Sequence, residues 1–358
     1  MKLAGKILFY PLFLLNILTV LLLLVCAWSG YLFVKSFPIL SLSGMAFPIV
    51  FAVNILFLLL WLIFRKRTIW LPLVGIILTL SPLLSYSPLN IRNTEMSEKD
   101  AAIRLLSYNV HGFSIGQNLD GGMTNPVLHY LNSSDCDILC LQESNETVLK
   151  RNRAYNKDFL PEIKYDCHTV GMSVMSRWPI IEWNAIHFEN SKNKALYCRI
   201  LIDGDTLAVY NCHFQSFGLN KKEIDEYNNL IRHPNETENY INNKSTLKKL
   251  MYAAVQRSEQ AEQIAGMLDK ETARYIILCG DFNDTPLSYS HRIISHRLTD
   301  AYRAAGFGPG ISYHENNLYF RIDHVFCNDG LEPLKCRVDN SIKDSDHYPI
   351  HTVFRFRK

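Results

Sequence analysis

Residues 275–286 read YIILCGDFNDTP, and this stretch decides the fold. A short run of apolar, β-branched and aromatic residues passes straight into Gly-Asp-Phe-Asn-Asp and stops at a proline. Such a run reads as a buried strand, and it delivers Asp281 and Asn283 just past its C-terminal end. Alone, GDFN would be an Asx turn closing a strand. The same grammar recurs along the chain. Residues 103–108 lead to Asn109 in SYNVHGF, 138–141 to Glu143 in DILCLQE, and 207–210 to His213 in YNCHFQS. Residues 322–326 carry Asp323 in RIDHVF, and Asp346-His347 stand in SDHYPI ahead of the run 350–356. Each of these residues alone reads as a cap, a surface pair or a turn. Six such places in one order, all at strand ends, form a constellation.

Between these runs, Leu250, Ala254, Arg257, Ala261, Ile264, Ala265 and Leu268 recur at helical spacing, which predicts a helix over about 249–268 with a core-facing stripe. Residues 217–248 are rich in Asn, Lys and Glu and read as an insertion. Several strands interspersed with helices imply a sheet core covered by helices.

Upstream the chain changes solvent. Residues 1–94 hold no Asp or Glu, and residues 1–90 hold only Lys2, Lys6, Lys35, Arg65, Lys66 and Arg67 as basic residues. Apolar stretches near 7–33, 43–64 and 68–86 are each about the length a bilayer-crossing helix needs, the third interrupted by Pro72 and Pro82. The expected organisation is a three-helix transmembrane region over 1–86, a polar linker over 87–101 and one globular domain over 102–358. Lys2 and Lys6, together with Arg65-Lys66-Arg67, predict a cytoplasmic N-terminus and therefore a multi-pass protein of the inner cell membrane with its globular domain outside. The nine cysteines show no CxxC and no zinc spacing; Cys140, Cys212 and Cys279 sit in strand-like runs as small buried hydrophobes.

The GDFND, RID and SDH segments and the order of the polar positions resemble the endonuclease/exonuclease/phosphatase (DNase I-like) superfamily, here as a membrane-anchored, bacterial-type member. The resemblance spans about residues 103–356. It implies a four-layered α/β sandwich whose strand ends form one cleft, and it implies hydrolysis of a phosphodiester or phosphomonoester.

The residue types suit that chemistry. Phosphoester hydrolysis needs a cation on the phosphoryl oxygens, an activated water in line, and help for the leaving group. Mg²⁺ takes oxygen ligands and only one or two carboxylates, which points to Glu143 and Asn109 with Asp281 or Asp346 nearby, and Mn²⁺ as an alternative ion. By the resemblance, His347 is the general base, Asp323 orients it, Asp281 and Asn283 position water and a phosphate oxygen, and His213 meets the phosphoryl group or the leaving oxygen. Arg177 in SVMSRWPI and His111 stand outside this set, the latter as a rim residue.

Charge bears on the partner. Outside the apolar part, 31 basic residues face 34 acidic ones, a net of −3. A nucleic-acid binder usually shows a basic face. Membrane lipids and a lipid headgroup or small phosphoester are therefore the favoured partners, and nucleic acid the alternative; a non-catalytic scaffold of the same fold is a third class.

Overall fold

The computed structural model describes residues 3–91, 102–113, 125–218, 238–315 and 319–357. Residues 92–101 of the expected linker and 219–237 of the expected insertion, with Lys221, Lys222 and Arg232, lie outside the described residues.

The N-terminal part is helical: α1 (Leu3–Ala27), α2 (Pro38–Ser41), α3 (Phe47–Phe64), α4 (Trp70–Leu78) and α5 (Leu80–Tyr86). Two helical segments, Phe9–Ala27 and Pro38–Phe64, are long and apolar enough to cross a membrane. The third expected helix is instead a pair bent by 56° between Leu78 and Leu80, which makes a third span only if the pair crosses as one. The break has a cause. Thr79 Oγ1 donates to the Gly75 carbonyl at 2.8 Å, and Pro82 offers no N–H to the preceding turn. The first helix also ends sooner than the apolar run, at Ala27 rather than Phe33, because the chain tightens into a short turn over Ser29–Tyr31.

Polar side chains tie these apolar helices together. Trp61 Nε1 donates to Asn16 Oδ1 at 2.8 Å, and Asn54 Nδ2 donates to the Pro72 carbonyl at 3.0 Å. The Arg65 guanidinium lies 4.0 Å over the Phe9 ring, so the start of α1 and the end of α3 share one end of the bundle. The opposite end carries Leu23, Cys26, Ala27, Phe47 and Val50, which close around Leu287 of the globular domain.

That domain contains, among the described residues, twelve strands: β1 (Ala102–Asn109), β2 (Ile138–Ser144), β3 (Tyr165–Thr169), β4 (Gly171–Ser176), β5 (Ile180–His187), β6 (Lys194–Ile202), β7 (Asp205–His213), β8 (Tyr275–Asp281), β9 (Thr299–Asp300), β10 (Asp323–Cys327), β11 (Leu331–Val338) and β12 (Ile350–Phe356). They build two six-stranded sheets, ordered β11-β12-β1-β2-β4-β3 and β5-β6-β7-β8-β10-β9. The sheets face each other through Leu105, Ile138 and Val174 on one side and Leu196, Val209, Ile277 and Val325 on the other. The first sheet is covered by α6 (Pro126–Ser133) and α7 (Glu146–Tyr155), whose Leu128, Leu131 and Leu149 meet Leu106, Tyr108 and Leu141. The second is covered by α8 (Glu238–Leu268), whose Ala261, Ile264 and Leu268 meet Tyr210, Leu278 and Phe326. Two shorter helices, α9 (Tyr289–Ser295) and α10 (Ala301–Ala305), follow β8 and β9. This is the expected four-layered α/β sandwich, with α8 starting earlier than its apolar stripe. Strands β3, β5, β6, β9 and β11 carry no signal read from the sequence. On β5 the side chains from Ile181 to Asn184 are exposed at a sheet edge, so no apolar run marks it.

The globular domain is seated on the apolar helices rather than hung from them. Gly308 N donates to the Pro88 carbonyl at 2.8 Å, and Asn90 Nδ2 donates to the carbonyls of Arg303 and Gly306 at 2.9 Å each. Gly30 meets the segment after β8 so closely that a Cβ there would lie 2.7 Å from the Ser288 carbonyl oxygen. Ser29 Oγ donates to the Leu287 carbonyl at 3.0 Å.

Candidate active site

The two central parallel pairs, β1 with β2 and β7 with β8, end on the same side of the sandwich and bring Asn109, Glu143, His213 and Asp281 to one cleft. Two local irregularities aim the side chains. The β2–β4 register shifts between Gln142 and Ser144, and Glu143 at this bulge adopts φ 51°, which turns its carboxylate to the cleft against the strand alternation. Gly280 holds φ 129° where β8 presses on β7; a Cβ there would lie 2.0 Å from the Cys212 carbonyl oxygen. Only glycine permits this approach. That is the physical reason for the glycine in GDFND. Beneath the cleft, Asn211 joins the sheets, donating to the carbonyls of Leu141 (3.0 Å) and Ser173 (3.1 Å) while accepting from Gln142 Nε2 (2.7 Å).

Asp281 is the hub. Its Oδ2 accepts from Asn109 Nδ2 and Asn283 Nδ2, each at 3.2 Å, and lies 3.6 Å from His213 Nε2 and 3.7 Å from His347 Nε2. Its Oδ1 accepts from Asn283 N at 2.8 Å. His347 Nδ1 lies 2.7 Å from Asp323 Oδ2, and Asp323 N in turn donates to Ser312 Oγ at 3.1 Å. The Tyr313 ring packs edge-on against the His347 ring at 5.1 Å. Glu143 is the most open carboxylate of the group, with Asn109 Nδ2 at 3.2 Å from its Oε1 and His213 Nε2 at 3.8 Å. Asp346 reaches the same pocket from β12's approach, its Oδ1 3.2 Å from His111 Nδ1, which lies 3.6 Å from Glu143 Oε2.

Burial raises the Asp281 carboxyl to about 6, against the pull of His347 and His213 and with the help of Asp323. Burial also disfavours a charged His347 ring, yet Asp323 and Asp281 outweigh it and carry its pKa to about 10. At neutral pH the imidazole is thus held protonated by its two carboxylates, unlike a free imidazole, which titrates near neutrality. The hydrogen bond to Asp346 raises His111, although burial opposes it.

Two donor groups could hold a metal ion. Asp281, Asp323 and His347 bring their ligand atoms within 4.8 Å of one another, all buried. Those atoms are already engaged in the Asp–His–Asp chain, and one is a nitrogen. Glu143 and Asp346 instead offer carboxylate oxygens around the spot spanned by the His111 ring, a donor set that suits a hard cation better. Asn109 presents its amide nitrogen, not its oxygen, to Glu143 and Asp281; its Oδ1 accepts from His111 N at 3.1 Å. Ligation through that oxygen needs the amide to turn over.

All eight sequence-named positions thus converge on one cleft. Arg177 does not: it pairs with Asp137 at 3.0 Å, at the opposite end of β2. His111, read as a rim residue, stands between Glu143 and Asp346. Ser312 and Tyr313 have no signal in the sequence, because a loop far from Asp323 in pattern is brought to it only by folding. The mouth of the cleft beside Glu143 and His213 is a recess of about 220 Å³ that also meets Val170, Lys192 and Lys194.

The profile of the Endonuclease/Exonuclease/phosphatase family matches residues 106–347, and that of a domain of unknown function matches residues 6–86. A search of curated proteins finds no match. Among solved structures, an endonuclease/exonuclease/phosphatase from Bacteroides vulgatus is similar at 16% identity and TM-score 0.50, over 72% of this chain and 99% of its own. A D. rerio TDP2 humanized by 14 mutations is similar at 15% identity and TM-score 0.50, over 71% and 99%. D. rerio TDP2 complexed with a single-strand DNA product is similar at 15% identity and TM-score 0.51, over 72% and 100%. At these identities the likeness is one of fold.

Proposed function

The chain belongs to the endonuclease/exonuclease/phosphatase family of metal-dependent phosphoester hydrolases, and we propose that it is a membrane-tethered, Mg²⁺-dependent enzyme acting on a lipid headgroup or a small phosphoester. The observation that carries this reading is the seating of the cleft. The segment that leaves Asp281 and Asn283 runs directly into Leu287, which packs among Leu23, Ala27 and Phe47 of the apolar helices. A cleft held so close to those helices stays at the membrane surface, where lipid headgroups are presented.

In this reading Glu143, with Asp346 and a turned Asn109, holds the cation, which supplies positive charge to the phosphoryl oxygens. Asp323 fixes the His347 ring through Nδ1 and leaves Nε2 toward Asp281 and the cleft, where the ring takes a proton from water in its neutral form and, in the protonated form that the two carboxylates favour, donates one to a phosphoryl or leaving oxygen. Asn283 and Asp281 orient that water, and His213 faces the phosphoryl or leaving oxygen. Lys192 and Lys194 at the cleft mouth suit a further anionic group of the substrate.

Two features support a small or lipid-linked phosphoester: the net charge of −3 outside the apolar part, and a recess of about 220 Å³. The solved complex of D. rerio TDP2 with a single-strand DNA product supports a second reading, a nuclease. Full-length protein in nanodiscs with Mg²⁺, offered phospholipids, inositol phosphates, single-stranded DNA and plasmid DNA at physiological salt, separates the two. Faster turnover of the lipid or small phosphoester is expected. DNA cleavage with no turnover of the others would establish the nuclease reading instead.

A further inference from the structure

A cavity of about 630 Å³ lies between the apolar helices and the globular domain, away from the catalytic cleft. Trp28, Tyr31 and Ser81 line it from the helices, and Arg292, His296 and Arg303 from α9 and α10. Its charges are not balanced. Arg297 is held by both oxygens of Asp269, and the buried His291 lies 3.1 Å from Asp300, whose other oxygen accepts from the backbone N–H groups of Tyr302 and Arg303. Arg292 donates to the Gly30 carbonyl at 2.6 Å and, through Nη1, to His296 Nε2 at 3.4 Å, and it rests over the rings of Tyr31 and Tyr289. Arg303 donates to Ser81 Oγ at 3.2 Å. Among the described residues neither guanidinium has a carboxylate within ion-pair distance. Asp329, also on the lining, is engaged by neither.

The surroundings say what kind of anion fits. Trp28 and Tyr31 stand at the end of α1 with 37% and 56% of their surface exposed, the placement of aromatic residues at a membrane–water interface. On the helix pair that carries Ser81, Leu78 and Leu80 are each 50% exposed and Ile77 67%, apolar surface of the kind an acyl chain lies against. Two guanidinium groups without a carboxylate partner and a hydroxyl, next to such apolar surface, match a phosphate that carries a lipid tail.

We propose that this cavity is a non-catalytic site for the headgroup phosphate of an anionic phospholipid, seated between the apolar helices and the globular domain. The inference rests on the membrane-anchor part of the proposed function and is independent of the substrate hydrolysed in the cleft.

The test uses the full chain in nanodiscs of phosphatidylcholine doped with phosphatidylglycerol, divalent cations chelated to suppress turnover, with retained lipid counted after detergent extraction and native mass spectrometry. The parent chain should retain phosphatidylglycerol over phosphatidylcholine. At about fivefold per guanidinium near a membrane surface, R292Q/R303Q should lose roughly thirtyfold of that preference. Because Arg292 and Arg303 also bond to the helices, S295E provides a second variant: it places a negative charge on an exposed residue of the lining and should lower retention without removing either bond. Tail-free glycerol phosphate should compete weakly. Equal retention in parent and variants, or no preference for phosphatidylglycerol, overturns the proposal. Glycerol phosphate binding as tightly as the lipid would make this an ion site and overturn it too. Alkaline carbonate extraction of the parent chain from membranes, run in parallel, shows separately whether the anchor reading itself has failed.

Discussion

The buried guanidinium of Arg321 donates to the main-chain oxygen of Tyr86, the last residue of α5, at 3.2 Å. It also donates to the carbonyls of Ser85 and, at 2.8 Å, Pro309, and it lies 4.3 Å over the Tyr302 ring. Asp323, the partner of His347, stands two residues further on. The end of the apolar region therefore braces the strand that orients the candidate base.

Removing that brace should be felt in the catalytic domain. R321M leaves three carbonyls without their donor, and with hydrogen bonds to charged groups near 1.5–3 kcal/mol, a loss of about 3 kcal/mol is expected. Thermal unfolding of the full chain in detergent reads it. An unchanged midpoint would show that the contact carries no stability.

His347 and Asp323 should act as one unit. Each alanine variant is expected to lose about 10²–10⁴ in turnover, and the double variant little more than the worse single one. A cycle in which the two losses multiply would show that they work separately.

Glu143 should hold the divalent cation. E143Q keeps the shape of the side chain but removes its charge, so folding should persist while Mg²⁺-dependent turnover and the stabilisation by added Mg²⁺ both vanish. Retained Mg²⁺ stabilisation in E143Q would move the metal to the group of Asp281, Asp323 and His347.

Acid stability should report on His351. Burial, then Arg337, press its pKa down to about 4, with Lys335 adding to the fall and Asp339 opposing it. Tyr130 and Cys136 complete its surroundings, the tyrosine oxygen 2.5 Å from Nε2 and the thiol 3.6 Å from Nδ1. The folded state prefers the neutral ring, so this contribution is complete above about pH 6.5 and is lost as pH falls through about 4. It amounts to at most about 3 kcal/mol. H351N should therefore flatten the fall in unfolding free energy between those two pH values. A slope identical to the parent's would remove His351 as its source.

Topology follows from Arg65-Lys66-Arg67. A reporter fused after Lys358 that works only outside the cytoplasm should be active, because basic residues at the ends of membrane helices favour the cytoplasmic side. Activity confined to a cytoplasmic reporter would place the cleft on the inner side, where the eight cysteines of the globular domain, all free and buried, would meet a reducing environment.

Much of this molecule is readable without coordinates. The strands that enter the buried centre of each sheet, such as 138–141 and 275–279, must be continuous apolar runs. The polar side chains of the cleft follow at their ends, because the middle of each sheet is covered on both faces and admits apolar side chains. The solvent change at residue 94 is likewise compositional, since a bilayer-exposed surface admits no carboxylates. Edge strands such as β5 left no mark, because half-exposed positions tolerate many residue types.

Distance in the chain hid the rest. Sequence alone determined the sandwich, the cleft residues and the apolar helices, each through local pattern and local burial. Only the tertiary structure decided that His111 stands between Glu143 and Asp346, that Asp281 and Asp323 lift His347 well above neutrality, and that Arg321 and Leu287 fasten the cleft to the helices. The physical reason is common to all three. Each depends on charges and close contacts between residues far apart in the chain, and these take effect only once the sheets pack and exclude water.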